Sequence, residues 1–272
     1  MSTKTQDIFN IKDRVVVITG GAGLLGIKHA EAVIEIGGVP ILLDIHQKSL
    51  DGALEKLEGK AFGIVTDVTN KESVQSALDD ILKKHARIDV LINNAANDPK
   101  VTGKGDSLSR FETFPEDEWN NDISVGLTGA FVCSQVFGNY MAQNKRGVIV
   151  NISSDLGIVA PDQKIYRKEG ETFESQNTKP VTYSVVKHGI IGLTKYLASY
   201  WGEKGIRVNA IAPGGVYADQ PNDFVERLTK RIPLGRMAHK DEYKGIIQLL
   251  ISDASQYITG TTISIDGGRT IR

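Results

Sequence analysis

Arg14-Val-Val-Val-Ile-Thr-Gly-Gly-Ala-Gly-Leu-Leu-Gly26 is the stretch of sequence that decides the fold. The apolar, β-branched run from Val15 to Ile18 predicts a strand that is buried on both faces. Glycines end that run, and the apolar residues that recur from Leu24 onward at helical spacing predict a helix. A strand, a glycine turn and a helix in this order point backbone N–H groups and a positive helix end at an anion such as a pyrophosphate.

The glycines of this turn have separate predicted roles. Gly20 allows the tight turn, Gly23 lets the backbone approach a phosphate, and Gly26 lets the helix lie close to the strands. A glycine turn alone is a weak signal, because a strand–helix connection without a ligand gives the same pattern. A second buried run, residues 39–43, ends at Asp44, at the distance expected of the acid that binds the adenosine ribose hydroxyls. Since this carboxylate would repel a 2′-phosphate, we expect NAD(H) as the cofactor.

The rest of the chain continues to alternate strands and helices. The further predicted strands are residues 61–66, 88–92, 147–152, 206–212 and 262–265, and the further predicted helices are residues 47–58, 71–85, 116–142, 182–204, 221–231 and 240–251. Such alternation predicts an α/β fold, a doubly wound parallel sheet of the Rossmann type with helices on both faces. No linker divides the 272 residues, so we expect residues 1–272 to form one dinucleotide-binding domain.

Composition narrows the classes of partner and the compartment. The net charge of −1 gives no electrostatic reason to expect a nucleic acid or a membrane surface as a partner. The first 13 residues lack an apolar signal core. Cys133 is the only cysteine, and the five histidines show no metal-ligand spacing. We therefore expect a cytoplasmic protein without a metal that acts on a small molecule.

Tyr183, Lys187 and Ser154 are the candidate catalytic residues. Tyr183 and Lys187 are four residues apart and so share one face of a helix. A tyrosine has an unperturbed pKa of ~10, and a nearby lysine ammonium favours the phenolate, which can exchange a proton with a hydroxyl. Ser154 follows the fifth strand and can hydrogen-bond the same oxygen. Taken alone, this tyrosine–lysine spacing is more often an ordinary pair on a helix surface.

A series of short motifs occurs in order between residues 11 and 268: Thr19-Gly20-x-x-x-Leu24-x-Gly26, Asp67-Val68, Asn93-Asn94-Ala95-Ala96, Ser154, Tyr183-x-x-x-Lys187, Ile211-Ala-Pro-Gly-Gly-Val216 and Ile258-Thr-Gly-Thr-Thr-Ile-Ser-Ile-Asp-Gly-Gly268. This series resembles the short-chain dehydrogenase/reductase family in its compact, single-domain form. The resemblance implies that Tyr183 is the acid/base, that Lys187 favours the phenolate and holds the nicotinamide ribose, and that Ser154 orients the substrate oxygen. The implied cofactor-binding residues are Gly20, Gly23, Leu24, Leu25, Gly26, Asp44, Asp67, Val68, Asn94, Ala95, Ala96, Lys187, Pro213, Gly214 and Val216.

Two segments resemble a narrower group, the flagellin-modification oxidoreductases. They are Ile158-Val-Ala-Pro-Asp-Gln-Lys-Ile-Tyr166 and Pro233-Leu-Gly-Arg-Met237. Because that group is tied to flagellar sugar modification, the resemblance implies hydride transfer at a secondary alcohol or ketone of a sugar, a nucleotide sugar or a related anionic sugar. The long helices and the closing segment are similar to those of homodimers and homotetramers.

One departure from the family pattern concerns the helix before the fifth strand. Gly126 stands where the family has an Asn that interrupts this helix and holds a water in a proton relay. A glycine can still bend the helix and leave room for that water. If water alone completes the relay, we expect Gly126→Asn to be tolerated or mildly helpful.

Long connections at the rim of the site are candidates for substrate binding. We expect insertions at about 97–115 and 155–180 and a short lid at about 216–235. Long loops in compact domains are commonly functional, although solvated loops on an enzyme with an ordinary substrate carry about equal weight. The candidate substrate-binding residues are Asp155, Lys164, Tyr166 and Arg167. The two cations among them, Lys164 and Arg167, would hold an anionic group of the substrate.

Two other functions fit parts of the pattern. A sugar-nucleotide epimerase or dehydratase shares the coenzyme site, but this chain lacks the added substrate domain of those larger relatives. A non-catalytic nucleotide sensor shares the fold, but such a protein is expected to have lost Tyr183 or Lys187. Both alternatives stay open until activity is measured.

Overall fold

The computed structural model describes residues 4–97 and 109–271, and a seven-stranded sheet of parallel strands lies at its centre. The strands are β1 (Val15–Thr19), β2 (Val39–Asp44), β3 (Phe62–Val65), β4 (Val90–Asn93), β5 (Gly147–Ile152), β6 (Ile206–Pro213) and β7 (Thr262–Ile265). The helices of the described residues are α1 (Thr5–Phe9), α2 (Leu24–Glu35), α3 (Gln47–Lys56), α4 (Lys71–His85), α5 (Glu116–Ile123), α6 (Gly129–Gln143), α7 (Val181–Trp201), α8 (Asn222–Thr229) and α9 (Lys244–Ile251). The strand order β3-β2-β1-β4-β5-β6-β7 confirms the predicted doubly wound sheet.

The sheet separates two hydrophobic cores, which explains why the central strand β1 is apolar from Val15 to Ile18. Val15 and Val17 point into one core, together with residues of α4, α6 and α7. Val16 and Ile18 point into the other core, together with residues of α2, α3 and α9. A strand between two helical layers must bury both of its faces, so alternation of apolar and polar residues is absent from β1.

The strand order reverses between β1 and β4, and this reversal positions the site. The chain leaves β1 toward β2 on one side and leaves β4 toward β5 on the other. In open parallel sheets the ligand crevice lies at the carboxyl ends of the two strands where the connections diverge. The glycine turn follows β1 and the Asn93-Asn94-Ala95-Ala96 motif begins at the end of β4, so the two lie side by side at this edge.

Two of the predicted helices are not regular α-helices over their whole length in the structure. The helix predicted over residues 116–142 is interrupted by a π-helical turn, Ser124–Thr128, between α5 and α6. The helix predicted over residues 240–251 begins with a 3-10 turn, Lys240–Tyr243. The short helix α1 was not predicted, because five residues carry too little of the helical period to be read from a polar segment.

Cys133 lies in the core between α6 and the sheet and is fully buried. Burial raises the pKa of its thiol to about 12, because the thiolate would lose its hydration. This cysteine is therefore a packing residue with no nucleophilic character at neutral pH. In the described part of the chain, no helix combines the length and the apolar character needed to span a bilayer.

Candidate active site

Two hydrogen bonds join the end of β5 to α7 and bring the three candidate catalytic residues together. The ammonium Nζ of Lys187 donates to the carbonyl oxygen of Ile152 at 2.9 Å. The hydroxyl of Ser153 donates to the carbonyl oxygen of Lys187 at 2.8 Å. Because Ser154 follows directly and Tyr183 lies one turn before Lys187 on α7, all three side chains belong to one small region at the carboxyl edge of the sheet.

Lys187 is buried and lies close to the ring of Tyr183. The exposed fraction of Lys187 is 6%, and its Nζ lies 5.7 Å from the centroid of the Tyr183 ring. A buried ammonium stabilises a negative charge at this range more than it would in water, since solvent screening is weaker. The helix face that the sequence predicted for these two residues is therefore the face that meets the end of β5.

Ser154 is positioned by a buried ion pair that sequence reasoning did not find. Its hydroxyl donates to Oδ1 of Asp155 at 2.8 Å, and the N–H of Leu156 donates to the same carboxylate oxygen at 2.8 Å. Oδ2 of Asp155 accepts from Arg269, at the end of the chain, at 2.5 Å. Asp155 was predicted to bind substrate, but its carboxylate is 4% exposed and already accepts these three hydrogen bonds.

A small cavity lies between the π-helical turn and α7. Its volume is about 10 Å³, and it is lined by Ala96, Asn97, Asp122, Gly126, Thr182, Tyr183, Val186 and Lys187. This volume corresponds to about one water molecule. Asp122 is buried there, where it accepts hydrogen bonds from Thr182 at 2.5 Å and from Asn97 at 3.1 Å. The helix is thus interrupted beside Lys187 even though the family asparagine is replaced by Gly126.

The packing around Gly126 argues against the expectation that Gly126→Asn is tolerated. A Cβ atom at this position would lie 2.6 Å from Cγ1 of Val186. Valine has one strongly preferred side-chain rotamer in a helix, so it cannot turn away cheaply. We expect Gly126→Asn to lower the melting temperature and the turnover, and Gly126→Asn combined with Val186→Ala to recover part of both. A fully stable and active single variant, measured by thermal unfolding and steady-state kinetics, would contradict this.

Asn94 ties the glycine turn to the end of β4. Its Nδ2 donates to the carbonyl oxygens of Thr19 and Gly20, both at 3.0 Å. The hydroxyl of Thr19 accepts from the N–H groups of Asn94 and Ala95, also at 3.0 Å. Gly20 has a φ of +59°, and a Cβ atom there would lie 2.9 Å from Cα of Ala95, so both conformation and space require glycine.

The glycine turn fits a pyrophosphate. Helix α2 begins at Leu24, and its N-cap residue, Gly23, has no side chain to cap the helix. The first backbone N–H groups of α2, from Leu24 to Gly26, therefore have no partner four residues earlier within the helix. A Cβ atom at Gly26 would overlap the carbonyl oxygen of Gly20, which explains the close contact of helix and strand. An uncapped helix start of this kind is suited to binding phosphate oxygens.

Asp44 lies at the mouth of this turn. Its two carboxylate oxygens accept from the N–H of Ala22 at 3.2 Å and from the N–H of His46 at 3.3 Å. The carboxylate therefore holds both loops that enclose the expected adenosine pocket. It also places a negative charge at the mouth of the turn.

The other predicted cofactor residues lie on the neighbouring loops. Asp67 accepts from the N–H and hydroxyl groups of Thr69 at 2.9 and 2.7 Å. The side chain of Val68 points into the core, where a Cβ atom at Gly129 would lie 2.8 Å away. The side chain of Val68 is therefore not available for the predicted adenine contact, which would have to come from the backbone of this residue.

The loop after β6 carries the last group of predicted cofactor residues. Pro213 is the final residue of β6, and the N–H of Gly214 donates to the carbonyl oxygen of Ile265 at 2.9 Å. Val216 pairs with Ala238 in an isolated β-bridge. These bonds fix the loop beside the ends of β6 and β7, next to the edge that carries Ser154.

The predicted insertion 155–180 and the predicted lid 216–235 pack against each other. Ile165 and Tyr166 from the insertion meet Phe224 and Leu228 from α8 in a small hydrophobic cluster. Asp162 also accepts from Arg231 at 2.7 Å. The two segments thus form one layer, whereas residues 98–108 of the other predicted insertion, 97–115, lie outside the described residues.

The predicted substrate cations on the insertion differ in their positions. Lys164 is exposed. Arg167 donates from Nε to Oε1 of Gln176 at 2.6 Å and so holds the insertion together. Sequence reasoning gave no special place to Lys179, whose Nζ lies 3.9 Å from the centroid of the Tyr183 ring. Lys179 and Tyr183 are four residues apart, but Lys179 lies before the start of α7. Helical spacing therefore could not predict that these two side chains meet.

Comparison with known proteins identifies the family. Residues 22–270 match the sequence profile of the family described as "Enoyl-(Acyl carrier protein) reductase". The chain is 32% identical to an NAD-dependent glycerol dehydrogenase from Listeria innocua, over 97% of this chain and 96% of that protein. The chain belongs to the short-chain dehydrogenase/reductase family and is an oxidoreductase of that family, as its motifs predicted.

Two further comparisons bear on the subgroup and the coenzyme. The chain is 29% identical to Post-translational flagellin modification protein A from Campylobacter coli, over 95% of this chain and 98% of that protein. The structure of a gluconate 5-dehydrogenase from Burkholderia cenocepacia in complex with NADP and tartrate is 26% identical, with a TM-score of 0.85 and coverage of 99% of this chain and 100% of that chain. Since similar proteins include one named for NAD and one that binds NADP, the family relationship does not choose between the two coenzymes.

Proposed function

We propose that this protein transfers a hydride between NAD(H) and a secondary alcohol or ketone of a sugar or a related anionic sugar. The observation that carries the proposal is the pair of hydrogen bonds that joins Lys187 to the end of β5 and so gathers Ser154, Tyr183 and Lys187 in one region. A tyrosine beside a buried ammonium and a serine hydroxyl are the groups needed to move a proton on and off a substrate oxygen.

The coenzyme would lie along the carboxyl edge of the sheet. Its pyrophosphate fits the start of α2, and its adenosine ribose fits beside Asp44. When bound, the coenzyme would supply the hydride acceptor for oxidation of the alcohol carbon, or the hydride donor for reduction of the carbonyl carbon. The proposed contacts are those predicted from the sequence: Gly20, Gly23, Leu24, Leu25, Gly26, Asp44, Asp67, Val68, Asn94, Ala95, Ala96, Lys187, Pro213, Gly214 and Val216.

The protein's own residues move the proton. In the oxidising direction, the phenolate oxygen of Tyr183 takes the hydroxyl proton as the carbon–hydrogen bond breaks, and the alcohol becomes a ketone. Lys187 stabilises the phenolate before the transfer. Ser154 donates to Asp155 in this structure, and rotation of its hydroxyl would let it donate to the substrate oxygen instead.

Two kinds of observation support a sugar or polyol substrate. Similar proteins include dehydrogenases named for glycerol and for gluconate, and a protein named for flagellin modification. The insertion and α8, which follow the carboxyl ends of β5 and β6, pack into one layer. The insertion carries the exposed cation Lys164, which is suited to an anionic group of such a substrate.

The test is a coenzyme-absorbance assay with glycerol, gluconate and a nucleotide sugar, each with NAD⁺ and with NADP⁺. We expect reduction of NAD⁺ with at least one member of these classes. Conversion of the nucleotide sugar without net coenzyme reduction would favour an epimerase or dehydratase. Tight coenzyme binding without turnover of any alcohol would favour a sensor.

Replacement of Asp44 by asparagine should reduce the preference for NAD(H). The variant has one side-chain acceptor oxygen, so it can keep only one of the two hydrogen bonds from the loop N–H groups, and it removes the charge that repels a 2′-phosphate. We expect the ratio of NADPH to NADH dissociation constants to fall by about tenfold or more, since about 1.4 kcal/mol of repulsion is enough for that change. Asp51→Asn, on the exposed part of α3, is the matched control. Tighter binding of NADPH than of NADH by the unmodified protein would refute the proposed coenzyme.

The predicted homodimer or homotetramer and the predicted cytoplasmic location belong to the same proposal. Sedimentation of the purified protein measures the first, and fractionation of cells that express it measures the second. A monomer that turns over substrate at full rate would remove the first of these predictions.

A further inference from the structure

We propose that Lys179 is a second cation that stabilises the phenolate of Tyr183, so that the insertion 155–180 contributes to proton transfer. Its Nζ lies 3.9 Å from the centroid of the Tyr183 ring, closer than the 5.7 Å of Lys187. A cation over the face of an aromatic ring is attracted to it, and the attraction grows when the ring becomes a phenolate. The inference rests on the proposed function only in that Tyr183 is taken as the proton-transfer residue.

Lys179 is held in this position by its backbone. The side-chain amide of Gln163 accepts from the N–H of Lys179 at 2.8 Å and donates to its carbonyl oxygen at 3.3 Å. Gln163 is itself fixed, because Gln176 donates to its carbonyl oxygen at 2.8 Å and Arg167 donates to Gln176 at 2.6 Å. The polar network that the insertion forms thus ends on the residue whose ammonium meets the tyrosine ring.

The start of α7 limits the freedom of Lys179 from the other side. Pro180 follows it and precedes the first residue of α7. A proline fixes its own φ and restricts the residue before it to extended conformations. The backbone of Lys179 is therefore fixed on both sides. Its side chain is partly buried and reaches the ring of Tyr183 from this fixed position.

Other charged groups near Tyr183 also affect the stability of its phenolate, some by stabilising it and some by opposing it. Lys187 favours the phenolate from α7, and Asp122, which lines the same cavity from α5, opposes it. On the side of Ser154, the charge of Asp155 is balanced by Arg269. Asp122 thus places a negative charge on the cavity that Tyr183 also lines, and Lys179 supplies a second positive charge that offsets it.

The decisive experiment measures the ionisation of Tyr183 itself. NMR of the protein with ¹³C-labelled tyrosine rings follows each phenol through its titration, and the signal that Tyr183→Phe removes is that of Tyr183. We expect Lys179→Met to raise the midpoint of this titration by about one pH unit, which is a roughly tenfold loss of phenolate at neutral pH. Lys179→Arg should restore most of the shift, because arginine keeps the charge and stacks on aromatic rings.

Lys195→Met is the matched control, since Lys195 is an exposed lysine on α7, about three turns after Tyr183. An unchanged Tyr183 midpoint in Lys179→Met, or an equal shift in Lys195→Met, would overturn the proposal. The corresponding kinetic result is a shift of the kcat/KM profile to higher pH in the oxidising direction. A rise in KM confined to anionic substrates, with no shift of the midpoint, would instead make Lys179 a substrate-binding residue and would also overturn it.

The two proposals can fail separately. Substantial turnover by Tyr183→Phe would refute the assigned role of Tyr183, whatever its titration shows. Loss of turnover in that variant together with an unchanged midpoint in Lys179→Met would leave the proposed function standing and remove only the role of Lys179.

Discussion

Tyr183→Phe should abolish turnover and leave coenzyme binding almost unchanged. The substitution removes the one hydroxyl that is proposed to exchange the substrate proton, and general acid–base groups contribute about 10²–10⁴-fold to rates. The aromatic ring itself remains, so the two lysine side chains beside it keep the ring surface that they contact. Steady-state kinetics would measure the loss, and titration with the coenzyme would show that its dissociation constant is preserved.

A matched control comes from the same helix. Tyr196 is 63% exposed on α7, more than three turns after Tyr183, and Tyr196→Phe should keep full activity. If Tyr183→Phe retained a large share of the activity, another group would have to move the proton. Ser154 would then be the nearest candidate, because its hydroxyl adjoins the same region.

Asp155→Ala should cause the largest loss of stability among single substitutions at the site. It would leave the guanidinium of Arg269 buried without its partner, since Arg269 is 9% exposed and Asp155 4% exposed. Breaking a buried ion pair from one side costs about 3–5 kcal/mol, mostly through the desolvation of the remaining charge. Ser154 would also lose the acceptor that fixes its hydroxyl. Chemical unfolding measures the first effect and steady-state turnover the second.

A double substitution separates the ion pair from simple loss of packing. Asp155→Leu combined with Arg269→Met removes both charges, and we expect it to be clearly more stable than Asp155→Ala. Glu226→Ala breaks an exposed pair with Lys230 on α8 and should cost at most about 1 kcal/mol. If the double variant were as unstable as Asp155→Ala, the unpaired charge would not be the cause.

The parts of the site that follow from local periodicity were predictable from the sequence. The start of α2 at Leu24 and the end of β2 at Asp44 came from runs of apolar residues and from glycines. The shared face of Tyr183 and Lys187 followed from helical spacing alone. In each of these cases the signal lies within about one element, so no knowledge of distant contacts was needed.

The missing parts depend on contacts between distant residues or on space. Asp155 and Arg269 are 114 positions apart in the chain, and no local pattern pairs an acid with one of many arginines. The steric effect at Gly126 depends on a neighbouring helix, which the sequence of its own helix does not show. Arg167 resembled a substrate-binding residue because it is a cation in a long loop, whereas the structure uses it to hold that loop together.

The position of β1 between β2 and β4 limits when the coenzyme site can form during synthesis. Val17 pairs with Ile41 on one side and with Leu91 on the other, and the second pairing joins segments 74 residues apart. Parallel strands cannot pair through a tight hairpin, so each such pairing must first close a long loop, which slows folding. The wall of the glycine turn that Asn94 provides is therefore absent from a nascent chain until β4 docks. A coenzyme that binds only the docked chain would therefore stabilise it relative to its precursors, by an amount that grows with the coenzyme concentration.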